Sequence, residues 1–415
     1  MESGDGKKRK NVFILGIIFN LVLLGYFKYY DFFISNINNL TGSELTLLHL
    51  ALPLGISFFT FQQISYLADS YKGETKEYNL LNYSLFVTFF PQLIAGPIVH
   101  HSEMMPQFED VKNKIFSNKN FATGFYLFTL GLFKKTVIAD TLAPWANVGF
   151  DDTEVLNMME AWATSLSYTF QLYFDFSGYT DMAIGLGLMF NIVLPINFNS
   201  PYKSLSIQDF WRRWHMTLSR FLRDYIYIPL GGNRFSDIIT YRNLMVTFLI
   251  GGLWHGAGWT FIFWGFLHGI ALVINRLWQN RGFKLNRFLS WSVTFFFINI
   301  TWVFFRAKSW ADALKVLEGM FFGKIVLHEK LANLFGGLGE YGVEFGAGMQ
   351  QIGGNLEIGI VLLIVFIIAV TFKNTNELSK SFKPNLFNLL LIGLMFVYSI
   401  FSFLVVKSDF LYFDF

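Results

Sequence analysis

Four apolar runs, at 12–26, 289–305, 358–372 and 386–406, carry almost no charge. A bilayer crossing takes roughly twenty apolar residues of helix for about 30 Å of hydrocarbon. In lipid every backbone N–H and C=O must find its partner inside the protein, so only helices and closed barrels span it. These runs do not alternate apolar and polar residues as barrel strands do. The fold class that follows is all-α: a polytopic integral membrane protein, forming a single embedded domain over 1–415. With 53% hydrophobic and 15% charged residues, an ordinary soluble domain is excluded.

Charge and cysteine content narrow the function. The net charge is +3, and the basic residues flank apolar runs, which fits membrane topology and gives no support for nucleic-acid binding. Cysteine is absent, which removes disulfides, thiolate metal sites and a Cys-bound acyl intermediate. Lys7-Lys8-Arg9-Lys10 leads into the first run with no small-residue cleavage site before Phe27, so that run reads as a span with a cytoplasmic N-terminus.

The most informative stretch is Gly251-Gly252-Leu253-Trp254-His255-Gly256-Ala257-Gly258-Trp259, between apolar arms at 244–250 and 260–274. Arg234 and Arg242 precede this unit, and Arg276, Arg281, Lys284 and Arg287 follow it, so both ends of the hairpin should face the cytoplasm. Counted from Leu244 to Trp254 the first arm is only about eleven residues, roughly 17 Å of helix. The turn bearing His255 is therefore expected inside the membrane. An ionisable group at that depth marks function by default, the alternative being a histidine satisfied by a carbonyl in a packed bundle.

Other polar stretches interrupt the runs. Pro53 and Gly55 break 47–67, and Pro91-Gln92 and Gly96-Pro97 break 83–99. His100, His101 and Glu103 have no further ligand set and read as an interfacial loop, not a metal site. Lys134-Lys135 reads as a cytoplasmic end. Asp175 and Asp181 read as helix caps holding a bend at Gly178, with a paired acid/base site as the rival. Over 206–230, Phe210, Trp211, Trp214, Leu218, Phe221 and Leu222 fall at helical spacing with Arg212, Arg213, Arg220 and Arg223 between them. That pattern predicts an amphipathic helix lying at the interface, its arginines meeting lipid head groups or substrate phosphates. The Gly-rich 336–354 lacks phosphate-loop spacing and reads as a flexible extramembrane loop.

Several motifs together resemble the membrane-bound O-acyltransferases (MBOAT), and among them the bacterial alginate O-acetylation type. They are Gln92 to Pro97, Gln171 to Tyr179, Phe210-Trp211-Arg212-Arg213-Trp214-His215, Leu222 to Tyr225, Leu230 to Asn233 and Gly252-Leu253-Trp254-His255-Gly256. The related D-alanine exporters share the Trp-His-Gly core, but Gly231 to Arg234 and Asn197 to Tyr202 fit the acetylation branch better. Family members usually carry further spans ahead of the segment matching 12–30, so the resemblance implies a start shortened relative to the family.

The resemblance implies an MBOAT-like bundle with broken or re-entrant helices around a central funnel, in the bacterial inner membrane. It implies an acetyl group taken from cytoplasmic acetyl-CoA and passed across the membrane to an envelope or secreted polysaccharide, with an extracytoplasmic acyltransferase as partner and no bound cofactor. His255 and His215 carry over as the catalytic histidines. A neutral imidazole accepts a proton from an attacking hydroxyl, Trp254 and Trp259 would exclude water, and Arg212, Arg213 and Arg223 with Trp254 would hold the donor. The aromatic and acidic 408–415 reads by composition as an interfacial belt. Similar tyrosine-bearing tails recur among bacterial members, which makes the Tyr412 phenol a candidate acyl relay. The rival classes are a carrier for an envelope precursor, which would need matching broken helices in two halves, and a non-catalytic scaffold.

Overall fold

The computed structural model describes residues 6–75, 79–93, 96–405 and 410–411. Helix α1 (Gly6–Leu24), a π-helical turn (Gly25–Tyr29) and α2 (Tyr30–Thr41) make one 36-residue rod. The helix break expected at Pro53 and Gly55 is present: Gly55 has φ +71, and α3 (Ile56–Lys72) starts immediately after it. Two short helices follow, α4 (Leu80–Thr88) and α5 (His101–Glu109). Next come α6 (Asn118–Phe133), a π-helical stretch (Lys134–Ala139), α7 (Asp140–Asn147) and the 32-residue α8 (Met158–Met189). Helices α9 (Ile207–Trp211) and α10 (Met216–Leu222) lead to the hairpin α11 (Asp237–His255) and α12 (Trp259–Asn280). Beyond it lie α13 (Arg287–Arg306) and α14 (Trp310–Phe322). Strand β1 (Val326–His328), α15 (Ala332–Phe335) and strand β2 (Glu344–Gly346) come next, the strands pairing in parallel. Then α16 (Leu356–Thr371), α17 (Thr375–Ser381) and α18 (Leu386–Val405) follow.

Among the described residues, the rod Gly6–Thr41, α12, α13 and α18 are each long and apolar enough to cross a membrane. The pair α16 and α17, bent by 61°, adds a fifth if it counts as one broken span. The all-α expectation, with broken helices, is met.

Helix α8 is the axis of the bundle, with α6, α7, α13, α14 and α16 packed against it. Its contact with α6 is backbone on backbone. A Cβ placed on Gly131 would lie 2.5 Å from Gly178 O, one on Gly178 2.6 Å from Gly131 O, and one on Gly124 2.5 Å from Gly185 O. The two helices touch this closely because neither carries a side chain at those points.

Several expectations need correction here. Helix α8 runs through Gly178 without ending, so Asp175 and Asp181 cap nothing. The chain stays helical through Lys134 and Lys135, which are largely buried counterions of α8. Lys134 Nζ lies 2.6 Å from Asp181 Oδ2, and Lys135 Nζ lies 2.7 Å from Asp175 Oδ1 and 2.8 Å from Asp140 Oδ1. Removing these charges from lipid requires partners, and each side supplies the other's. The 336–354 segment is folded: Asn157 Nδ2 donates to Gly348 O (2.9 Å) and Gln351 N to the buried Glu160 Oε1 (3.0 Å), seating it on the N-terminus of α8.

Candidate active site

Ser236 caps the start of helix α11, its hydroxyl accepting from Ile239 N. Its polar first turns remain helical because the protein satisfies them: Asn243 Nδ2 donates to Gly232 O (2.9 Å) and Thr247 Oγ1 to Asn243 O (2.7 Å). At 19 residues it is about 28 Å long. The short-arm reasoning for the depth of His255 therefore fails. What keeps the histidine from water is protein, with His255 3% exposed.

Glycines set the hairpin. A Cβ on Gly252 would sit 2.4 Å from Phe261 O, and one on Gly265 2.3 Å from Phe248 O, so α11 and α12 touch through their backbones. A Cβ on Gly256 would meet the Phe261 ring at 2.2 Å. Arg276 Nη2, 3.4 Å from Asp237 Oδ1, ties the end of α12 to the start of α11. The basic end and the histidine end of the hairpin are thus opposite.

The His255 ring lies in an aromatic chamber: centroids of Trp254, Trp264 and Phe305 are 4.8, 5.1 and 5.0 Å away. His215 is 6.5 Å from it, ring to ring, and fully buried. The structure thus brings the two predicted histidines together from segments forty residues apart. Trp254 is 4% exposed and serves as wall, as expected. Trp259 does not: it is 55% exposed and donates to Asn36 Oδ1, and Trp264 and Trp302 take its place inside.

The 206–230 segment is not one interfacial helix. His215 stands at φ +42, a left-handed residue that breaks the segment between α9 and α10. Such a conformation is uncommon for a residue other than glycine and marks an imposed geometry. The imposing group is Asn197, itself fully buried. Its Oδ1 accepts from Thr217 N (3.2 Å) and Thr217 Oγ1 (2.9 Å) and lies 3.1 Å from His215 Nδ1, while Asn197 O accepts from Met216 N (3.0 Å). Trp211 and Trp214 are consequently core residues, 7% and 2% exposed. Trp211 Nε1 donates to Nδ1 of a third buried histidine, His268, whose Nε2 reaches Thr301 Oγ1 (both 3.1 Å).

The arginines do not form a single patch. Arg212 is exposed; Arg213 pairs with Asp209 (2.9 Å) and Arg223 with Asp224 (2.6 Å). Arg220 grips Glu103 with both terminal nitrogens. Burial would raise the Glu103 carboxyl's pKa, but this two-pronged bond holds it below the usual carboxylate range. A polar cavity of about 400 Å³ opens at the basic end of the hairpin, lined by Gln208, Tyr227, Asn233, Asn275, Arg276 and Gln279. Another, of about 330 Å³, opens at the histidine end beside Lys28, Asp31, Gly256 and Ala257.

Tyr412 lies outside the described residues. The two residues before it are in the core. Leu411 N donates to Asp175 Oδ2 (3.2 Å), and Phe410 stacks on Tyr179 (4.4 Å). Phe410 also lies 6.4 Å from Phe176, whose ring meets His215 at 4.8 Å. Sequence reasoning missed Asn197 as the group that shapes His215, although Asn197 to Tyr202 had stood out as a motif. It also missed Lys28, a lysine at the end of the apolar run of the first rod.

The model of the MBOAT, membrane-bound O-acyltransferase family, matches residues 12–307. The chain belongs to that family. It is 58% identical over 336 residues to the peptidoglycan O-acetyltransferase of Helicobacter pylori, covering 74% of this chain and 64% of that one. It is 47% identical over 331 residues to a probable alginate O-acetylase of Pseudomonas aeruginosa, covering 78% and 63%. Against the teichoic acid D-alanyltransferase of Bacillus subtilis the identity is 27% over 277 residues, covering 61% and 69%. The chain thus spans slightly under two thirds of the acetylating relatives, and it resembles them more than the D-alanylating one, as Asn197 to Tyr202 and Gly231 to Arg234 had indicated.

Proposed function

We propose that this chain is an O-acetyltransferase of the bacterial inner membrane, crossing it several times. It would take acetyl groups from cytoplasmic acetyl-CoA for the O-acetylation of an envelope or secreted polysaccharide. The observation that carries the reading is the pair His215 and His255, 6.5 Å apart in a closed aromatic chamber at one end of a hairpin whose other end is basic.

In this reading His255 is the general base. It takes the proton of the acceptor hydroxyl as that oxygen attacks the thioester carbonyl; the C–S bond then breaks, and the CoA thiolate leaves with the proton returned by the imidazolium. Trp254, Trp264 and Phe305 keep out water, the competing nucleophile. His215, held by Asn197, lies close enough to assist. Acetyl-CoA would enter from the basic end, where the 400 Å³ cavity offers Arg276 and several amides. Of the proposed donor-binding arginines 212, 213 and 223, Arg212 and Arg223 are exposed and so free to meet phosphates. The first acceptor we propose is the Tyr412 phenol, which would hand its acetyl group to an extracytoplasmic acyltransferase. Support comes from Phe410 and Leu411, which lead into the core beside the ring that touches His215.

The test incubates purified protein with acetyl-CoA labelled in the acetyl group. Label on the protein or on an added acceptor is expected. Absence of any donor turnover would leave a carrier or a scaffold instead. Tyr412→Phe removes a single oxygen, and normal polymer acetylation in cells carrying it would remove Tyr412 from the relay.

A further inference from the structure

The last capping bond of the helix that carries His255 runs from Gly256 N to Gly252 O (3.4 Å). The chain turns to extended geometry at Gly256 (φ −158°, ψ 150°), so the carbonyls of Leu253, Trp254 and His255 lose the amides that a continuing helix would give them. Two side chains of the first rod reach these three carbonyls. Tyr29 OH donates to Leu253 O (2.8 Å), and Lys28 Nζ donates to Trp254 O (2.6 Å) and His255 O (3.1 Å). Adjacent residues on a regular helix point some 100° apart; here the π-helical turn Gly25–Tyr29 lets Lys28 and Tyr29 both reach the end of α11. Such single-turn irregularities collect at functional sites.

Satisfying carbonyls does not require a charge. An ammonium in a membrane-spanning rod is costly and by default marks function, and the acceptors seen for Lys28 are neutral: the two carbonyls and Ser57 Oγ (3.2 Å). The ammonium also lies 5.9 Å above the Trp254 ring, the indole next to His255. Lys28 therefore touches both peptide oxygens that flank the His255 backbone and the ring that walls its side chain.

We propose that Lys28 is a positioning residue for His255: its ammonium clamps the last two carbonyls of α11 and so fixes where the imidazole stands. The proposal rests on the reading of His255 as the base. Misplacing a reacting group by about 1 Å can cost on the order of a hundredfold in rate. Lys28→Met keeps the apolar stem and loses the donors, so its turnover should fall about tenfold or more with the acetyl-CoA Michaelis constant unchanged. Lys28→Arg keeps a cation with several donors and should recover part of the loss.

A second readout does not depend on catalysis. The chain has no cysteine, so Ala257→Cys introduces a single thiol beside Lys28 in the 330 Å³ cavity. Its rate of alkylation by a small water-soluble maleimide should rise several-fold when Lys28→Met is added and return towards the starting value with Lys28→Arg. Unchanged alkylation in Lys28→Met would mean there is no clamp. Raised alkylation with normal turnover would mean that the clamp does not position the base. An active His255→Gln enzyme would overturn the base assignment instead, and the alkylation comparison would still decide whether Lys28 clamps the turn.

Discussion

Replacing Gly131 by alanine tests the helix contact on which the site is mounted. The added Cβ would lie 2.5 Å from Gly178 O and 2.7 Å from Met182 N, where ordinary van der Waals contact begins at 3.4 Å. The shortfall is roughly 0.9 Å, and the obstructing atoms are backbone, so no rotamer change can relieve it. Overpacking of this kind costs up to about 3 kcal/mol, and alanine returns about 1 kcal/mol through its higher helix propensity. The net loss of about 2 kcal/mol is about thirtyfold in the folding equilibrium. Gly359→Ala in α16 is the control, since nothing lies within 4 Å of its Cβ and only the propensity gain remains. Thermal unfolding of both variants in the same detergent gives the comparison: Gly131→Ala should melt lower than wild type and Gly359→Ala no lower. Because Phe176, two residues from Gly178, abuts His215 at 4.8 Å, transfer by Gly131→Ala should fall as well. Equal melting of Gly131→Ala and wild type would refute the inference that α6 and α8 are locked by backbone contact.

Lys135→Met leaves Asp175 and Asp140 buried without their cation and should destabilise the protein by about 3–5 kcal/mol, read as loss of folded protein in size-exclusion chromatography. Asn197→Leu removes the acceptor that fixes His215 and should lower turnover more than it alters the donor Michaelis constant, measured by steady-state kinetics. Arg212 and Arg213 neutralised together should raise the apparent Michaelis constant for acetyl-CoA more than they lower the maximal rate; an unchanged constant would assign these arginines to lipid contact. Glu103 has its pKa depressed on folding, so its bond to Arg220 contributes stability above the ordinary carboxylate pKa and loses it as pH falls through the lower folded value. Glu103→Gln should therefore flatten the acid limb of a stability profile in detergent.

How much of this was legible in the sequence depended on whether the cause was local. The hairpin around Gly252, Trp254 and His255 could be read because glycine, an apolar run and flanking basic residues each act within a few positions. The break at Pro53 and Gly55 was readable for the same reason. The 206–230 segment was misread because tryptophan and arginine at helical spacing describe an interfacial helix and a buried one equally well. The deciding event, a left-handed His215 held by Asn197, depends on a hydrogen bond across eighteen residues. The ion pairs of Lys134 and Lys135 were missed because positive charge at the end of an apolar run signals only a cytoplasmic end, and their carboxylates lie on other helices. Lys28 and the α11 carbonyls are 226 and 227 residues apart, beyond any local pattern.

The proposed role of the buried His255 imidazole is to remove the proton of the acetyl acceptor. Its most direct test is transfer of labelled acetyl from acetyl-CoA by purified wild-type and His255→Gln proteins, matched for amount and for melting temperature. The wild type should transfer label and the variant none above background. Transfer by a folded His255→Gln protein at the wild-type rate would contradict it.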